Sequence, residues 1–429
     1  MKKILLALVA VAWIASAHAG PKIEHWVAPS GARVYFVESH ALPILDVAVD
    51  FAAGAAYQPA AKAGLAGLTR SLLDTGAGKL DEEQISARQV DIGARLGGST
   101  DDDRAGLTLR TLSSQTERDA SLDLLRTLLT APSFPEAPLA REKSRSIAAI
   151  READTRPDSI AGKKFAAAIY PNHPYGVHAS AESVERITRA DLVAFHRDYY
   201  AAKRAVVSII GDVTRQEAEA IAQKLTDSLP AGKPGEELPP VTKPVRAMVK
   251  IDHPASQAHI HIGAPAISRT DPDYYALLLG NYTLGGGGFV SRLMQEVREK
   301  RGYAYSVYSY FAPKKLEGPF EIGLQTKRAQ ASDAIKVVES VLGDFLAKGP
   351  SAKELAAAKK NLVDGLALRI DSNAKILGYL ALIGFYNLPL TYLDDFPAKI
   401  NMVTTDDVKA AFARHVKPEN LVTVIVAGD

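Results

Sequence analysis

One pattern occurs twice in this chain, and any fold has to accommodate it both times. Ile187–Asp212 reads ITRADLVAFHRDYYAAKRAVVSIIGD, and Val403–Asp429 reads VTTDDVKAAFARHVKPENLVTVIVAGD. Each opens with Thr and an acidic residue where an amphipathic helix begins. Each then passes through basic and turn residues and ends in a β-branched strand that closes on Gly-Asp. The two stretches differ in length by one residue, and agreement over the whole span marks an internal duplication. Between them lies Leu229–Val245, LPAGKPGEELPPVTKPV, with five prolines and two glycines. Its central position makes it a domain linker rather than an ordinary surface loop. The expected units are therefore residues 20–228 and 246–429, joined by 229–245.

Periodicity gives the class of each unit. Arg33–Glu38, Ile44–Ala52, Val206–Ile210, His259–Ile262 and Phe320–Gln325 are apolar and β-branched, as strands are. Leu65–Leu73, Ala120–Leu129, Ala137–Ala153, Ser332–Leu346 and Ala352–Arg369 carry helical spacing. Strands followed by pairs of helices predict an α+β fold, a mainly antiparallel sheet layered with helices, built twice.

The N-terminus reads as a secretory signal: Lys2 and Lys3, an apolar Ile4–Ala15 run, and an Ala17-His18-Ala19 cleavage site, so the mature chain is expected to start at Gly20. The apolar run is short for a membrane span, and no other stretch of that character exists, so no membrane insertion is expected. Removing residues 1–19 takes two lysines and no acidic residue, which leaves 49 basic residues against 49 acidic. A balanced chain argues against nucleic acid or an anionic membrane as its main partner. There is no Cys, hence no disulfide framework and no thiol chemistry. A bacterial periplasm, in a Gram-negative organism, fits the signal and the missing cysteines best.

The strongest chemical signal is Gly285–Ser309, GGGGFVSRLMQEVREKRGYAYSVYS: four glycines, a charged amphipathic helix, then an alternating aromatic strand. Gly285, Gly286, Gly287 and Gly288 permit positive φ and close backbone approach, yet lack the GK[ST] ending of a phosphate loop. By itself the run describes a tight, mobile turn. Arg298 lies among Glu296, Glu299, Lys300 and Arg301, an alternation that by itself describes a solvated helix face.

The order of these pieces resembles the pitrilysin–insulysin zinc metallopeptidases, in particular the half-length branch that includes mitochondrial processing peptidase. The Gly285–Ser309 motif, His173-Pro174-Tyr175-Gly176, the Ile-Ile-Gly-Asp strand end and the paired halves carry the resemblance, which covers nearly the whole mature chain. It implies two homologous α+β domains forming half of a clamshell, and zinc-dependent peptide hydrolysis by His-x-x-Glu-His on a helix. His at i and i+4 share one helix face and reach one metal, with Glu beside them as base.

In this chain that frame falls on Gly64-Leu65-Ala66-Gly67-Leu68-Thr69-Arg70-Ser71. Gly67 and Ser71 stand at the two His positions and Arg70 at the base, and the distal Glu position falls near Ala148 or Ala149. No zinc site of that kind is expected, and no hydrolysis by the chain alone. Among other histidines, His259 and His261 share one face of a strand, and His173 and His178 sit in a loop. Polar surface, turn or packing roles are expected for all four. No serine has a G-x-S-x-G setting. By the resemblance, Arg298 and Tyr305, seven residues apart, form a substrate-binding and transition-state pair, and Gly285–Gly288 is either a substrate-handling loop or only a tight turn. That reading makes the chain a non-catalytic subunit of a hetero-oligomeric peptidase. Zinc would reside in a homologous partner bearing His-x-x-Glu-His, and peptides would be held in extended form. The alternative is a non-enzymatic peptide-binding or assembly scaffold of the same fold.

Overall fold

The computed structural model describes residues 20–232 and 237–427. The expected signal segment, 1–19, lies outside the described residues. In chain order the strands are β1 (Glu24–Val27), β2 (Arg33–Glu38), β3 (Ile44–Phe51), the short pair β4 (Gly76–Ala77) and β5 (Leu80–Asp81), β6 (Arg95–Thr100), β7 (Ala105–Leu112) and β8 (Ala205–Gly211). The second half contributes β9 (Ala247–Asp252), β10 (Gln257–Ile267), β11 (Ala304–Phe311), β12 (Gly318–Lys327) and β13 (Val422–Ala427).

The duplication is visible in the sheets. The first has the order β1-β2-β8-β3-β7-β6, and the second, read from its β9 edge, β9-β13-β10-β12-β11. Without β1 the two orders correspond strand for strand. Each contains one parallel pair, β2 with β8 and β9 with β13, and the remaining neighbours are antiparallel. The twin segments found in the sequence become twin structures. Thr188 caps Arg189–Tyr199 and Thr404 caps Thr405–His415, each in a reciprocal box with an Asp three residues on. The strands that follow, β8 and β13, enter the two sheets at equivalent places.

Burial explains the apolar runs. Along β8, Ala205, Val207 and Ile209 join the core under the first unit's own helices, while Val206 and Ile210 face the opposite side. A strand covered on both faces has no polar alternation to show. The cover on that opposite side comes from the other half of the chain. Helix Asn373–Phe385 lays Leu377, Leu380 and Ile383 on Val206, Ile210, Tyr35 and Val37. Reciprocally, helix Pro157–Ile169 lays Phe165 and Ile169 on Val422 and Val424 of β13. Each sheet is therefore roofed by a helix from the other half, and the sequence halves do not coincide with the packed layers.

A second tie joins equivalent hairpin turns. Asp103, 1% exposed, accepts from the Tyr175 hydroxyl at 2.5 Å, the Tyr386 hydroxyl at 2.9 Å and the Lys315 amide at 2.8 Å, while Asp102 pairs with Lys314. His173 serves the same junction. Its Nδ1 accepts from the Tyr175 amide, which leaves Nε2–H to donate to the carbonyl of Pro239 at 2.9 Å, and burial lowers its pKa. The His173–Gly176 motif is thus a structural clasp, the packing role read from the sequence. The described residues of 229–245 carry no helix or strand, and among the described residues no helix is long and apolar enough to cross a membrane.

Coupled roofs predict coupled unfolding. Ile383→Ala and Phe165→Ala, at 0% and 2% exposure, are each expected to cost about 2–5 kcal/mol. In urea titrations followed by circular dichroism both should shift one shared transition. Two separate transitions would show that the halves do not depend on each other's helices.

Candidate functional site

The glycine-rich element forms where helix Tyr274–Asn281 widens into the turn Tyr282–Gly286, with Gly287 N–H donating to the carbonyl of Tyr282 at 2.8 Å. Gly285 backs directly onto β11: a Cβ there would stand 2.5 Å from the Ser309 nitrogen. Gly288 has φ +61° and open space beside it. The chain then presents Phe289 and Val290 to solvent, 66% and 61% exposed. Two large apolar side chains exposed side by side make this a candidate contact surface.

The anchor is Arg292. It grips Glu354 with two bonds of 2.7 Å, reaches the Gly349 carbonyl at 3.0 Å, and lies over the Phe345 ring. The following helix is of the wide π type over Met294–Glu299, a geometry common at functional sites. Met294 and Val297 face the core. Glu296 takes Lys300 and Arg301, so these charges form the solvated face that alternation predicts.

Arg298 departs from that face. Its guanidinium carbon sits 4.8 Å from the Phe289 ring centre and 4.9 Å from that of Tyr305, a cation between two aromatic rings. Its one ion pair among the described residues is with Glu299 at 3.5 Å. A guanidinium resting on ring faces can still donate through its in-plane N–H groups. Tyr305 reaches this position because β11 carries a bulge between Ala304 and Ser306, which re-aims the residue between them and leaves Tyr305 84% exposed. The structure thus brings Arg298 and Tyr305 together at the free edge of the second sheet. Phe289, the other half of the stack, was not foreseen, since nothing in its spacing separates it from an ordinary loop aromatic.

Helix Leu65–Ser71 lies over the first sheet, so its residues and the Arg298–Tyr305 pair belong to different halves. Gly67 is exposed and has no side chain to offer. The Ser71 hydroxyl donates back to the Leu68 carbonyl at 3.1 Å, and Arg70 brings a positive charge. Along Glu136–Ala153, Ala148 and Ala149 are exposed, while Ile147 and Ile150 pack inward. None of these four residues offers a carboxylate, and with Gly67, Arg70 and Ser71 they do not fit a zinc ion.

The remaining histidines are accounted for by packing. His261 Nδ1 bonds Glu321 at 2.7 Å, a carboxylate distant in sequence that also accepts from Tyr310, and the ring stacks on Phe165. Burial lowers the pKa of His259 and His178. One group of metal-ligand type occurs elsewhere among the described residues, Asp271, Asp273 and His415. There Arg414 already holds both Asp273 oxygens, at 2.6 and 2.7 Å.

The anchor predicts an acid-sensitive link. Arg292, foremost among the causes, holds the Glu354 carboxyl at about 2 against an ordinary 4.5. A folded-state value below the unfolded one stabilises above the unfolded value and is lost as pH falls through the folded value. Glu354→Gln should therefore lower Tm near neutrality, and the deficit should close between about pH 4.5 and 2. Thermal melts across that range check it, and a deficit independent of pH would contradict the pairing.

Comparison with known proteins places the chain in a family. Residues 33–182 match the model of insulinase, peptidase family M16, and residues 186–362 match the M16 inactive domain. A solved M16 inactive domain from Pseudomonas fluorescens is 38% identical, covers 95% of this chain and 98% of its own, and superposes with a TM-score of 0.91. A non-peptidase homolog from Helicobacter pylori is 26% identical over 100% of this chain and 99% of its own length. An uncharacterized zinc protease of Streptomyces coelicolor is 27% identical over 79% and 75%. With two family models spanning most of its described length and a relative of this similarity along nearly all of it, the chain belongs to the M16 peptidase family and carries the family's two-domain α+β fold.

Proposed function

We propose that this chain is the non-catalytic, substrate-binding subunit of a periplasmic, hetero-oligomeric zinc peptidase. In this reading it lends Arg298 and Tyr305 to a homologous subunit that bears His-x-x-Glu-His. The observation that carries it is the exposed Phe289–Arg298–Tyr305 stack in a chain whose Leu65–Ser71 helix offers no metal donor set. The names of two relatives, a non-peptidase homolog and an inactive domain, support the non-catalytic part.

The chemistry assigned to this chain is positioning and charge stabilisation. An extended peptide pairs with a free sheet edge through its main chain. The Arg298 fork and the Tyr305 hydroxyl donate to the peptide carbonyl oxygen as it gains negative charge. Removing one such donor typically costs about 10²–10³ in rate. The partner's zinc supplies the activated water. The alternative reading, a peptide-binding or assembly scaffold, places no hydrolysis at this surface.

The test begins with co-purification from the periplasm of the source cell and identification of the homologue that accompanies the chain. In the reconstituted pair, Arg298→Ala and Tyr305→Phe are each expected to lower kcat/KM for a quenched fluorogenic peptide by about 10²-fold, with Tm unchanged. The chain alone is expected to cleave nothing and to carry far less than one zinc per molecule. Full activity in both variants refutes the donation, and cleavage by the isolated chain refutes the non-catalytic assignment.

A further inference from the structure

The residue that spoils the metal site is itself placed as a recognition group. Arg70 lies in the last turn of Leu65–Ser71, and its guanidinium rests on the backbone of β6 at Gly98. A Cβ at Gly98 would stand 2.7 Å from Arg70 Nη2 and 2.9 Å from Nε, and Gly98 has φ +146°. A Cβ there would also stand 2.1 Å from the Gly106 carbonyl oxygen, so glycine at 98 serves both the β6–β7 pairing and the seat of Arg70.

Three polar atoms around this contact lack partners. Arg70 Nε is buried without a hydrogen bond, as are the Tyr200 hydroxyl and Thr100 Oγ1. Tyr200 is 0% exposed, and the Arg70 charge acts on its hydroxyl. Thr100 lies two residues beyond Gly98, on the same face of β6. Buried polar groups are normally satisfied; Tyr200 is enclosed by protein, so the group here that an incoming ligand can meet is the half-buried Arg70 side chain. Among the described residues Arg70 makes no ion pair. Asp74, one turn on, feels its charge without coming into salt-bridge contact. The neighbouring surface has room, since a Cβ at Gly67 would meet nothing within 4 Å. β6 itself is an edge strand, paired with β7 on one side and free on the other.

We infer that Arg70, seated on Gly98 beside the free edge of β6, is a binding site for the carboxylate of an extended peptide. The main chain of such a peptide would add to β6, which supplies affinity without selecting sequence. The planar fork of Arg matches a carboxylate in two parallel bonds and gives the site its chemical preference. The carboxylate is either the peptide's free C-terminus or an Asp or Glu side chain. The site needs neither zinc nor a partner subunit, so it stands apart from the role of Arg298 and Tyr305.

The experiment measures binding to the purified chain by fluorescence anisotropy with three fluorescein-labelled decapeptides of Ser, Thr and Val. One ends in a free carboxylate, one in an amide, and one in an amide with a single internal Glu. At least one carboxylate-bearing peptide is expected to bind about tenfold tighter than the plain amide. Preference for the first alone identifies the C-terminus, and equal preference for the third identifies a side chain. Arg70→Gln should erase the preference while leaving amide binding unchanged. If Arg70→Gln fails to fold, Arg70→Lys, which keeps the charge without the fork, is expected to lose most of the preference. The proposal is overturned if the native chain does not distinguish carboxylate-bearing peptides from the amide, or if the Arg70 variants bind all three as the native chain does.

Discussion

Each sheet in this molecule is closed by a helix borrowed from the other half, and the rest of the architecture depends on that exchange. β8 and β13 are apolar on both faces, so neither could remain in solution with only its own helices on one side. Asn373–Phe385 and Pro157–Ile169 supply the missing cover, and each buries large side chains in doing so. Once both helices are seated, the equivalent turns near Asp103 and Lys315 meet and are fixed by buried hydrogen bonds. The two sheets then hold their free edges, β6 and β11, in a defined relation to the helices beside them.

Those two edges occupy equivalent places in the repeat, yet their chemistry has diverged. Beside β11 the Arg298 cation lies against two aromatic rings, and a bulge delivers Tyr305 to the same spot. Beside β6 a second cation stands where the family's peptidases are expected to hold metal and base. A permanent guanidinium cannot activate water, but it binds negative charge without a cofactor. In the roles proposed above both edges recognise extended peptide, by carbonyl donation in one half and by carboxylate pairing in the other.

Much of the scaffold was legible because its signals are local. Arg33–Glu38 was read with the bounds it has in the structure, and the long amphipathic helices were located within a few residues. The elements that escaped are those whose identity depends on distant partners. Asn373–Phe385 is apolar nearly all round and Pro157–Ile169 has few large apolar residues, so neither shows a clear amphipathic stripe. β6, RLGGST, has neither apolar alternation nor β-branched density, because an edge strand with two glycines is defined by its pairing with β7 rather than by its own residues.

The sequence by itself determined the duplication, the two-domain α+β class, the loss of every expected metal donor on Leu65–Ser71, and the seven-residue spacing of Arg298 and Tyr305. These follow from residue identity and short-range periodicity. Only the tertiary structure decided which helix roofs which sheet, that Phe289 completes the Arg298 stack, and that Arg70 lies on Gly98 among unpartnered polar atoms. Each of these is a contact between side chains or backbone far apart in sequence. Such contacts are set by how two sheets and their exchanged helices pack, which no window of local sequence encodes.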